Sequence, residues 1–317
     1  MKILVTGAAG FIGSHLCQAL LKNKSYNVIG IDHFIGPTPA TSKNQNIQQF
    51  KNNPRFQFIQ GDILTTDLSQ LLQDVNIVYH LAAIPGVRTS WGKDFDPYVT
   101  NNIVATQRLL EACKHINLSK FIHISTSSVY GEKSGSVSEE LFPTPLSPYG
   151  VTKLSGEHLC HIYRTNFHIP IVILRYFTVY GPRQRPDMAF HRLIKQMLED
   201  KPLTIFGNGT QTRDFTYIDD CIRGTIAALE TKKPIIGEII NIGGKERASV
   251  LDIISLLENK LGKTAKTHFL KAVPGEPKHT WADISKANSL LQYSPSISLA
   301  DGLQTELNYL KQLYKRG

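Results

Sequence analysis

Two side chains suited to acid–base chemistry, Tyr149 and Lys153, are four positions apart in a segment with helical periodicity. Residues at this spacing lie on one face of an α-helix, so the phenol and the ammonium would be neighbours. A positive charge nearby favours the phenolate and lowers the tyrosine pKa from its usual value of about 10. Such a phenolate could take the proton of a hydroxyl group while a hydride leaves the same carbon. Because the spacing is common in helices, this chemistry needs support from other residues.

A glycine-rich loop supplies that support near the amino terminus. Gly7, Gly10 and Gly13 lie between an apolar run at residues 3–5 and a helical pattern that begins at Phe11. In a strand–turn–helix unit such glycines allow a tight turn, the approach of a pyrophosphate to bare backbone and close packing of helix on strand. The helix N-terminus would present free N–H groups to the phosphates, which adds Phe11 and Ile12 to the candidate cofactor residues.

Two acidic residues follow the next predicted strands. Asp32 ends the second strand, about 20 residues after the glycine loop, where a carboxylate can accept hydrogen bonds from an adenosine ribose. It would repel a 2′-phosphate, and no arginine follows it directly, so NAD is favoured over NADP. Asp62 follows the third strand and could bind an adenine amino group together with the backbone of Ile63, although a role in a turn is an equal alternative.

The elements that must position these residues alternate along the chain. Apolar runs predict strands at residues 28–31, 56–59, 77–79, 121–124 and 171–174, and helical patterns cover residues 96–115 and 147–166. This alternation predicts an α/β fold with a Rossmann-type, doubly wound parallel sheet. We assign residues 1–175 to an NAD-binding Rossmann domain, with segments near residues 210–245 returning to it. Residues 176–317, divided by prolines and glycines, are assigned to a smaller, interleaved C-terminal substrate-binding lobe.

Composition narrows the class of protein without choosing a ligand. The 317 residues are 41% hydrophobic, which excludes extensive disorder, and the four cysteines are too scattered for a disulfide framework or a zinc site. No apolar run reaches the ~18 residues of a membrane span, so we expect a cytoplasmic protein. We expect no metal, because the cysteines form no CxxC pair and no zinc-type spacing with histidine. With 35 Lys and Arg against 26 Asp and Glu, the formal charge is +9. A nucleic acid, an anionic membrane surface or an anionic small molecule would each suit that charge.

Six motifs spread over the chain resemble one enzyme family. They are TGAAGFIG at residues 6–13, LAA at 81–83, STSSVYG at 125–131, YGVTK at 149–153, RDFTYIDD at 213–220 and NIGG at 241–244. Together they resemble the extended short-chain dehydrogenases/reductases of the sugar-nucleotide epimerase/dehydratase group. The resemblance implies tightly bound NAD, with Leu81, Ala82 and Ala83 among its contacts, and a nucleoside-diphosphate sugar as substrate. It also implies a homodimer paired through the helix of Tyr149 and Lys153. No recognition-helix motif supports nucleic acid as a partner.

The residues after the Ser-Thr strand distinguish members of this group. Dehydratases typically carry Asp-Glu after the threonine and decarboxylases carry a Glu, whereas this chain has Ser127 and Ser128. Without a base a 4-keto sugar does not readily lose its carbon-5 proton, which argues against a 4,6-dehydratase. Three further stretches resemble the UDP-glucuronate 4-epimerase subgroup: AAIPGVRTSW at residues 82–91, RYFTVYGPRQRPDMAF at 175–190 and TWADISKA at 280–287.

The resemblance implies a cycle of oxidation and reduction at carbon 4 of UDP-glucuronate. Tyr149 would take the 4-hydroxyl proton with help from Thr126, while Lys153 holds the cofactor ribose and lowers the tyrosine pKa. The 4-keto intermediate would turn about its diphosphate and be reduced on its other face, giving UDP-galacturonate.

The intermediate is a β-keto acid, which loses carbon dioxide when the bond to its carboxylate aligns with the carbonyl π system. Small hydroxyl groups can hold a carboxylate away from that alignment without repelling it. The candidates for this role are Thr126, Ser127, Ser128 and Thr178, with Arg88 or Arg185 as charge partners.

Further candidate substrate contacts are Phe206 at the uracil, Arg213 at the diphosphate, and Arg192, with Pro85 and Gly86 in the segment before Arg88. Three alternatives stay open at this point. The chain could be a UDP-glucuronate decarboxylase, a UDP-glucose/UDP-galactose 4-epimerase, or a non-catalytic Rossmann sensor of dinucleotides.

Overall fold

A computed structural model describes residues 1–315, and a parallel sheet of seven strands forms its centre. The strands of the structure are β1 (Lys2–Thr6), β2 (Asn27–Asp32), β3 (Phe56–Gln60), β4 (Ile77–His80), β5 (Lys120–Thr126), β6 (Ile171–Tyr176), β7 (Thr178–Tyr180), β8 (Leu203–Phe206), β9 (Thr212–Tyr217), β10 (Ile239–Ile242), β11 (Glu246–Ser249) and β12 (Thr267–Leu270). The order across the seven-stranded sheet is β10, β6, β5, β4, β1, β2, β3. Strand order reverses beside β1, the switch point at which such sheets bind ligands. The predicted doubly wound parallel sheet is confirmed.

Helices cover both faces of this sheet. They are α1 (Phe11–Leu20), α2 (Ala40–Gln48), α3 (Leu68–Leu71), α4 (Asp96–Tyr98), α5 (Ala105–Cys113), α6 (Pro148–Phe167), α7 (Ala189–Leu198), α8 (Ile218–Glu230), α9 (Val250–Leu261), α10 (Ser285–Leu291) and α11 (Leu299–Lys315). Neighbours along a strand point to opposite faces, so Ile3 packs in the core beneath α1 and α8, and Leu4 packs in the core beneath α3, α5 and α6. The strands read as continuous apolar runs because both faces are buried.

Local sequence explains where α6 begins and ends. The hydroxyl of Ser147 accepts a hydrogen bond from the N–H of Gly150 at 3.1 Å, and Pro148 occupies the first turn, where its missing N–H costs nothing. The last helical residue is Phe167, and His168 caps the helix with a left-handed φ of 56°. The prediction of a helix at residues 147–166 is therefore confirmed to within one residue at each end.

The predicted helix at residues 96–115 contains a feature that periodicity did not show. Between α4 and α5, the segment Val99–Val104 is a π-helix, which has one extra residue per turn. The side chain of Asn102 in this segment accepts the N–H of Ile84 at 2.7 Å and donates to its carbonyl oxygen at 3.0 Å. It also donates to the hydroxyl of Thr152 on α6 at 3.0 Å. The π-helix thus joins the loop after β4 to the helix of Tyr149 and Lys153.

Most of the chain after β6 lies outside the main sheet. Strands β7, β9 and β11 form a second sheet and β8 pairs with β12, whereas β10 returns to lie beside β6. The domain boundary at residue 175 stays a prediction, and residues 316 and 317 of the assigned lobe lie outside the described part of the chain. Within residues 1–315, no helix combines the length and the apolar character needed to cross a membrane.

A buried hydrogen-bond chain links β1, β4 and the π-helix. The hydroxyl of Thr6 accepts the N–H groups of residues 81 and 82 at 3.1 and 3.0 Å, so its own proton goes to Nδ1 of His80 at 2.9 Å. His80 then carries its proton on Nε2 and donates to Thr106 at 3.0 Å, which in turn donates to the carbonyl oxygen of Asn102 at 2.7 Å. Burial, followed by the charge of Lys153, lowers the pKa of His80 to about 3.

This shift predicts a loss of stability in acid. The pKa of His80 is below that of a histidine in the unfolded chain, so the unfolded state takes up the proton first as the pH falls below about 6.5. Between pH 7.5 and pH 5, His80 should lower the free energy of unfolding by about 2 kcal/mol. Urea unfolding at both pH values gives the free energy of unfolding of the parent and of His80→Gln. We expect this free energy to change less between pH 7.5 and pH 5 in the variant than in the parent. His268→Gln, at an exposed position on β12, is the matched control. Equal pH dependence in His80→Gln and the parent would contradict the prediction.

Candidate active site

A cavity of about 800 Å³ lies at the carboxyl ends of β1, β2, β4, β5 and β6. All of the candidate residues named from the sequence are on its wall. The cofactor candidates there are Gly7, Gly10, Phe11, Ile12, Gly13, Asp32, Asp62, Ile63, Leu81, Ala82, Ala83, Tyr149 and Lys153. The substrate candidates there are Pro85, Gly86, Arg88, Thr126, Ser127, Ser128, Thr178, Arg185, Arg192, Phe206 and Arg213. The chain therefore brings together residues that are up to 206 positions apart in sequence (7 to 213).

The glycine loop forms a cradle at one end of this cavity. A Cβ atom at Gly13 would lie 2.1 Å from the carbonyl oxygen of Gly7, so helix and loop can pack this closely only with glycine. Gly7 has a left-handed φ of 70°. Helix α1 begins at Phe11 with no side-chain hydrogen bond at its N-cap, Gly10, which leaves first-turn N–H groups open to the cavity. These open donors and the bare backbone fit a dinucleotide pyrophosphate.

Asp32 is buried and holds the turn after β2. Its carboxylate accepts the N–H groups of Ala9 at 3.1 Å and Phe34 at 2.8 Å. It also pairs with the ammonium of Lys43 at 2.7 Å, which donates to the carbonyl oxygen of Ile35 at 2.9 Å. No arginine follows Asp32 directly, but the structure brings Lys43 from α2 to it, so the negative charge of Asp32 is compensated.

Asp62 has partners that match its alternative role in a turn. One oxygen accepts the N–H of Leu64 at 2.9 Å, and the other lies 3.2 Å from Nδ1 of His33. Asp62, Ile63 and His33 still line the cavity beside Asp32. The geometry is compatible with a contact to adenine through the remaining acceptor capacity of Asp62.

Tyr149, Lys153 and Thr126 form the centre of the cavity wall. Burial raises the pKa of Tyr149, whereas the charge of Arg185 and the hydroxyl of Thr126 lower it. Lys153 donates to the carbonyl oxygen of Ile124 at 2.7 Å, and burial lowers its own pKa to about 8. The sequence assigned the lowering of the Tyr149 pKa to Lys153. In the structure the ammonium of Lys153 is directed at a carbonyl group of β5, and Arg185 is the cation that acts most strongly on Tyr149.

Four hydroxyl groups lie beside this centre. Thr126 ends β5 and caps the short 3₁₀ turn Ser127–Val129, and its hydroxyl accepts the N–H of Ser128 at 3.2 Å. Thr178 begins β7 and lines the same cavity. These side chains offer donors and acceptors without a charge.

Arginines and an aromatic ring line the opposite part of the cavity. The guanidinium groups of Arg88 and Arg192 lie 4.2 and 5.2 Å from the ring centre of Phe206. Glu276 pairs with Arg88 at 2.6 Å and with Arg213 at 3.4 Å. Arg192 forms no ion pair within residues 1–315, and its buried Nε has no hydrogen-bond partner there.

Arg185 is also paired within the chain. Its guanidinium makes two hydrogen bonds to Asp187, at 3.0 and 2.9 Å. Arg185, Asp187 and Tyr149 all line the cavity, and the charge of Arg185 lowers the pKa of Tyr149. Among the described residues, no three His, Cys, Asp or Glu side chains group in a way that would hold a metal ion.

Residues 3–243, which include all of the candidate residues on the cavity wall, match the NAD dependent epimerase/dehydratase family. The chain belongs to this family. UDP-glucuronic acid 4-epimerase from Bacillus cereus, solved with UDP-glucuronic acid and NAD, is 82% identical with a TM-score of 0.99, over 99% of this chain and 100% of that chain.

Two curated relatives carry different names. An uncharacterized UDP-glucose epimerase of Bacillus subtilis is 62% identical over 315 residues, 99% of each chain. A UDP-glucuronate 4-epimerase of Thermodesulfobacterium geofontis is 44% identical over 314 residues, 98% of this chain and 96% of that protein.

Sequence reasoning missed three charged residues of this epimerase/dehydratase cavity: Lys43, Asp187 and Glu276. Asp187 is two positions from Arg185, which is a local signal for a pair. Glu276 is 188 positions from Arg88 and Lys43 lies in a helix of low hydrophobicity, so no local pattern marks either residue.

The pair of Lys43 and Asp32 predicts a role in cofactor retention. Lys43→Met would leave the buried carboxylate of Asp32 without its cation and loosen the turn that faces the adenosine ribose. We expect NAD to bind at least about tenfold more weakly, which titration calorimetry of the NAD-depleted protein measures. Lys51→Met, at an exposed lysine beyond α2, is the control and should bind NAD as the parent does. Unchanged affinity in Lys43→Met would exclude this role.

Proposed function

We propose that this chain interconverts UDP-glucuronate and UDP-galacturonate by epimerisation at carbon 4 with bound NAD. The observation that carries the proposal is the composition of one wall of the cavity. Tyr149 and Lys153 stand beside uncharged hydroxyls, where a decarboxylase or dehydratase of this family would carry an acidic residue. The close likeness to the Bacillus cereus epimerase supports the same substrate.

The residues of the cradle fit NAD. The first turn of α1 would hold the pyrophosphate, Asp32 with Lys43 the adenosine ribose, and Lys153 the ribose of the nicotinamide. When bound, NAD supplies a hydride acceptor for carbon 4 and then the hydride donor for the reverse step. It also adds a positive charge beside Tyr149, which opposes the effect of burial on the pKa of the phenol.

Tyr149 is the acid–base group of the proposed reaction. Its phenolate takes the proton of the 4-hydroxyl as the hydride leaves, and the phenol returns that proton to the ketone oxygen after the sugar has turned. Arg185 and Thr126 stabilise the phenolate, because both lower the pKa of Tyr149. Lys153 stays on the carbonyl oxygen of Ile124 and keeps α6 against β5.

The nucleotide end of the substrate fits the opposite part of the cavity. Phe206 offers a face for uracil, and Arg192 and Arg213 offer donors for the diphosphate. Arg88 lies on Phe206 with Glu276 as its partner, which supports a role for Arg88 at the nucleotide instead of at the carboxylate. The hydroxyl groups that would bind the substrate carboxylate are those of Thr126, Ser127, Ser128 and Thr178, with the charge of Arg185 nearby.

The product from UDP-glucuronate tests this function. Purified protein without added cofactor should yield UDP-galacturonate as the main product. Carbon dioxide and a UDP-pentose as main products would identify a decarboxylase instead. Faster turnover of UDP-glucose than of UDP-glucuronate would favour the second candidate, a neutral-sugar epimerase, which the name of the Bacillus subtilis relative suggests. No turnover of either sugar would leave a dinucleotide sensor.

Replacement of the acid–base group separates chemistry from binding. Tyr149→Phe keeps the ring but removes the proton carrier, so we expect the rate of epimerisation to fall by about 10²–10⁴-fold. Affinity for UDP-glucuronate, measured by calorimetry, should stay within about threefold of the parent because the arginines and Phe206 are intact. Undiminished epimerisation by Tyr149→Phe would remove Tyr149 from the mechanism.

We further propose a cytoplasmic homodimer that pairs through α6. Val151 and Ile162 on this helix are 47% and 49% exposed, and Val104 in the adjoining π-helix is 46% exposed. Apolar residues so placed on neighbouring helices form a surface that a second copy would cover.

A charge on that surface should separate the two copies. Ile162→Asp would bury a carboxylate in the proposed interface, so we expect a monomer in analytical ultracentrifugation at micromolar concentration. Phe269→Asp, at a half-exposed apolar position on β12, is the control and should sediment as the parent does. If the parent sediments as a monomer, or Ile162→Asp as a dimer, the proposed interface is wrong.

A further inference from the structure

A row of polar side chains crosses the interior of the main sheet. Ser125 on β5, Arg175 on β6 and Asn241 on β10 are direct neighbours in the strand register. All three are buried, and a fourth buried polar residue, Glu157 on α6, lies against Ser125 and Arg175. The side chains of Arg175 and Glu157 are only 3% and 4% exposed.

Glu157 is the centre of the hydrogen bonds in this row. Its Oε1 accepts the hydroxyl of Ser125 and Nε of Arg175, the latter at 2.9 Å, and its Oε2 accepts the second guanidinium nitrogen at 2.6 Å. The guanidinium also lies 4.6 Å from the ring centre of Tyr130, whose hydroxyl donates to Asn241 at 2.7 Å. One carboxylate thus binds α6 to β5 and β6 through three donors.

Each segment joined by Glu157 continues directly into reacting groups. Ser125 precedes Thr126, Ser127 and Ser128, and Arg175 lies three positions before Thr178. Glu157 is one helical turn beyond Lys153 and two turns beyond Tyr149, on the buried face of α6. The acid–base pair and the hydroxyl groups therefore come from three elements that share this single carboxylate.

Glu157 does not line the cavity, so it acts through other residues. We propose that Glu157 is a positioning residue that fixes Tyr149 relative to the hydroxyl groups and thereby directs the keto intermediate to reduction instead of decarboxylation. A buried ion pair gives little net stability compared with apolar side chains of the same size, so stability alone does not account for it. Orientation does, because small misplacements of reacting groups cost large factors in rate.

This inference rests on the proposed function and concerns how the intermediate is partitioned. Loss of carbon dioxide requires the carboxylate bond to align with the ketone π system. The hydroxyl groups of β5 and Thr178 prevent that alignment only while their distance from Tyr149 is fixed. With Glu157 replaced, α6 loses its hydrogen bonds to Ser125 and Arg175 and is held to β5 mainly by Lys153 on the carbonyl oxygen of Ile124. Both the hydride step and the hold on the carboxylate then become less accurate.

Two variants test the proposal through product ratios. Glu157→Gln keeps the size of the side chain but removes the charge, and Ser125→Ala removes one donor and leaves the ion pair. We expect kcat to fall by about 10–100-fold in Glu157→Gln, with KM for UDP-glucuronate changed less than about threefold. The ratio of UDP-pentose to UDP-galacturonate should rise at least about fivefold in Glu157→Gln and in the same direction in Ser125→Ala.

Controls separate positioning from a general loss of structure. Asp220→Asn removes another buried carboxylate, paired with Arg223 away from the cavity, and its product ratio should equal that of the parent. The ratio is independent of the amount of folded enzyme. The double variant should match Glu157→Gln alone, because Ser125 acts through the same carboxylate.

An unchanged product ratio in both single variants would overturn the proposal, even if their activity falls. If Glu157→Gln does not fold, Ser125→Ala decides the outcome by itself. A parent enzyme that forms no UDP-galacturonate would contradict the proposed function instead. In that case the test of positioning by Glu157 is the rate of NAD reduction in a single turnover with the sugar nucleotide that the parent does oxidise. A rate in Glu157→Gln equal to that of the parent would overturn the positioning role.

Discussion

The packing of one face of α6 against the carboxyl ends of β5 and β6 is the contact on which the rest of the cavity depends. Gly156 lies on this face, and a Cβ atom there would be 3.2 Å from Nε2 of His123, so glycine lets the helix approach the sheet closely. That approach brings Lys153 within 2.7 Å of the carbonyl oxygen of Ile124 and seats Glu157 over Arg175. Tyr149, one turn before Lys153, then reaches the cavity beside Thr126. A helix held farther out would lose all of these contacts together.

The charges of the cavity are mostly paired before any ligand arrives. Lys43 has Asp32, Arg185 has Asp187, and Glu276 is shared by Arg88 and Arg213. An anionic ligand that reaches Arg88, Arg185 or Arg213 would therefore exchange with a carboxylate partner, whereas Arg192 has no ion pair within residues 1–315 to give up. Breaking the existing ion pair costs free energy, which reduces the net affinity for the diphosphate. The ligand is then not held too tightly for release. The net charge of +9 attracts anions over long distances, whereas the paired arginines set the affinity once an anion is bound.

Features with a local period or a local motif could be predicted from the sequence, and features made by distant partners could not. The apolar runs of β1, β5 and β6 and the helix of Tyr149 carry their own signal, because burial on both faces or one face repeats along the chain. The π-helix at Val99–Val104 inserts one residue into an otherwise helical pattern and leaves the composition unchanged. Glu276 and Glu157 acquire their roles from residues far away in the chain or across the sheet. Only the folded arrangement shows that one acid meets two arginines and the other joins three elements.

The two ends of the cavity suit an intermediate that must turn without leaving. At the end that we propose for the nucleotide, charged and planar groups such as Arg213 and Phe206 favour one orientation of a ligand. At the sugar end, the serine and threonine hydroxyls both donate and accept, so each can bond a carboxylate in one orientation of the ring and a hydroxyl in the other. An arginine in their place would bind the carboxylate strongly in a single orientation and oppose the turn. A group of uncharged hydroxyls at the sugar end, with Arg185 paired to Asp187, therefore suits an exchange of sugar faces.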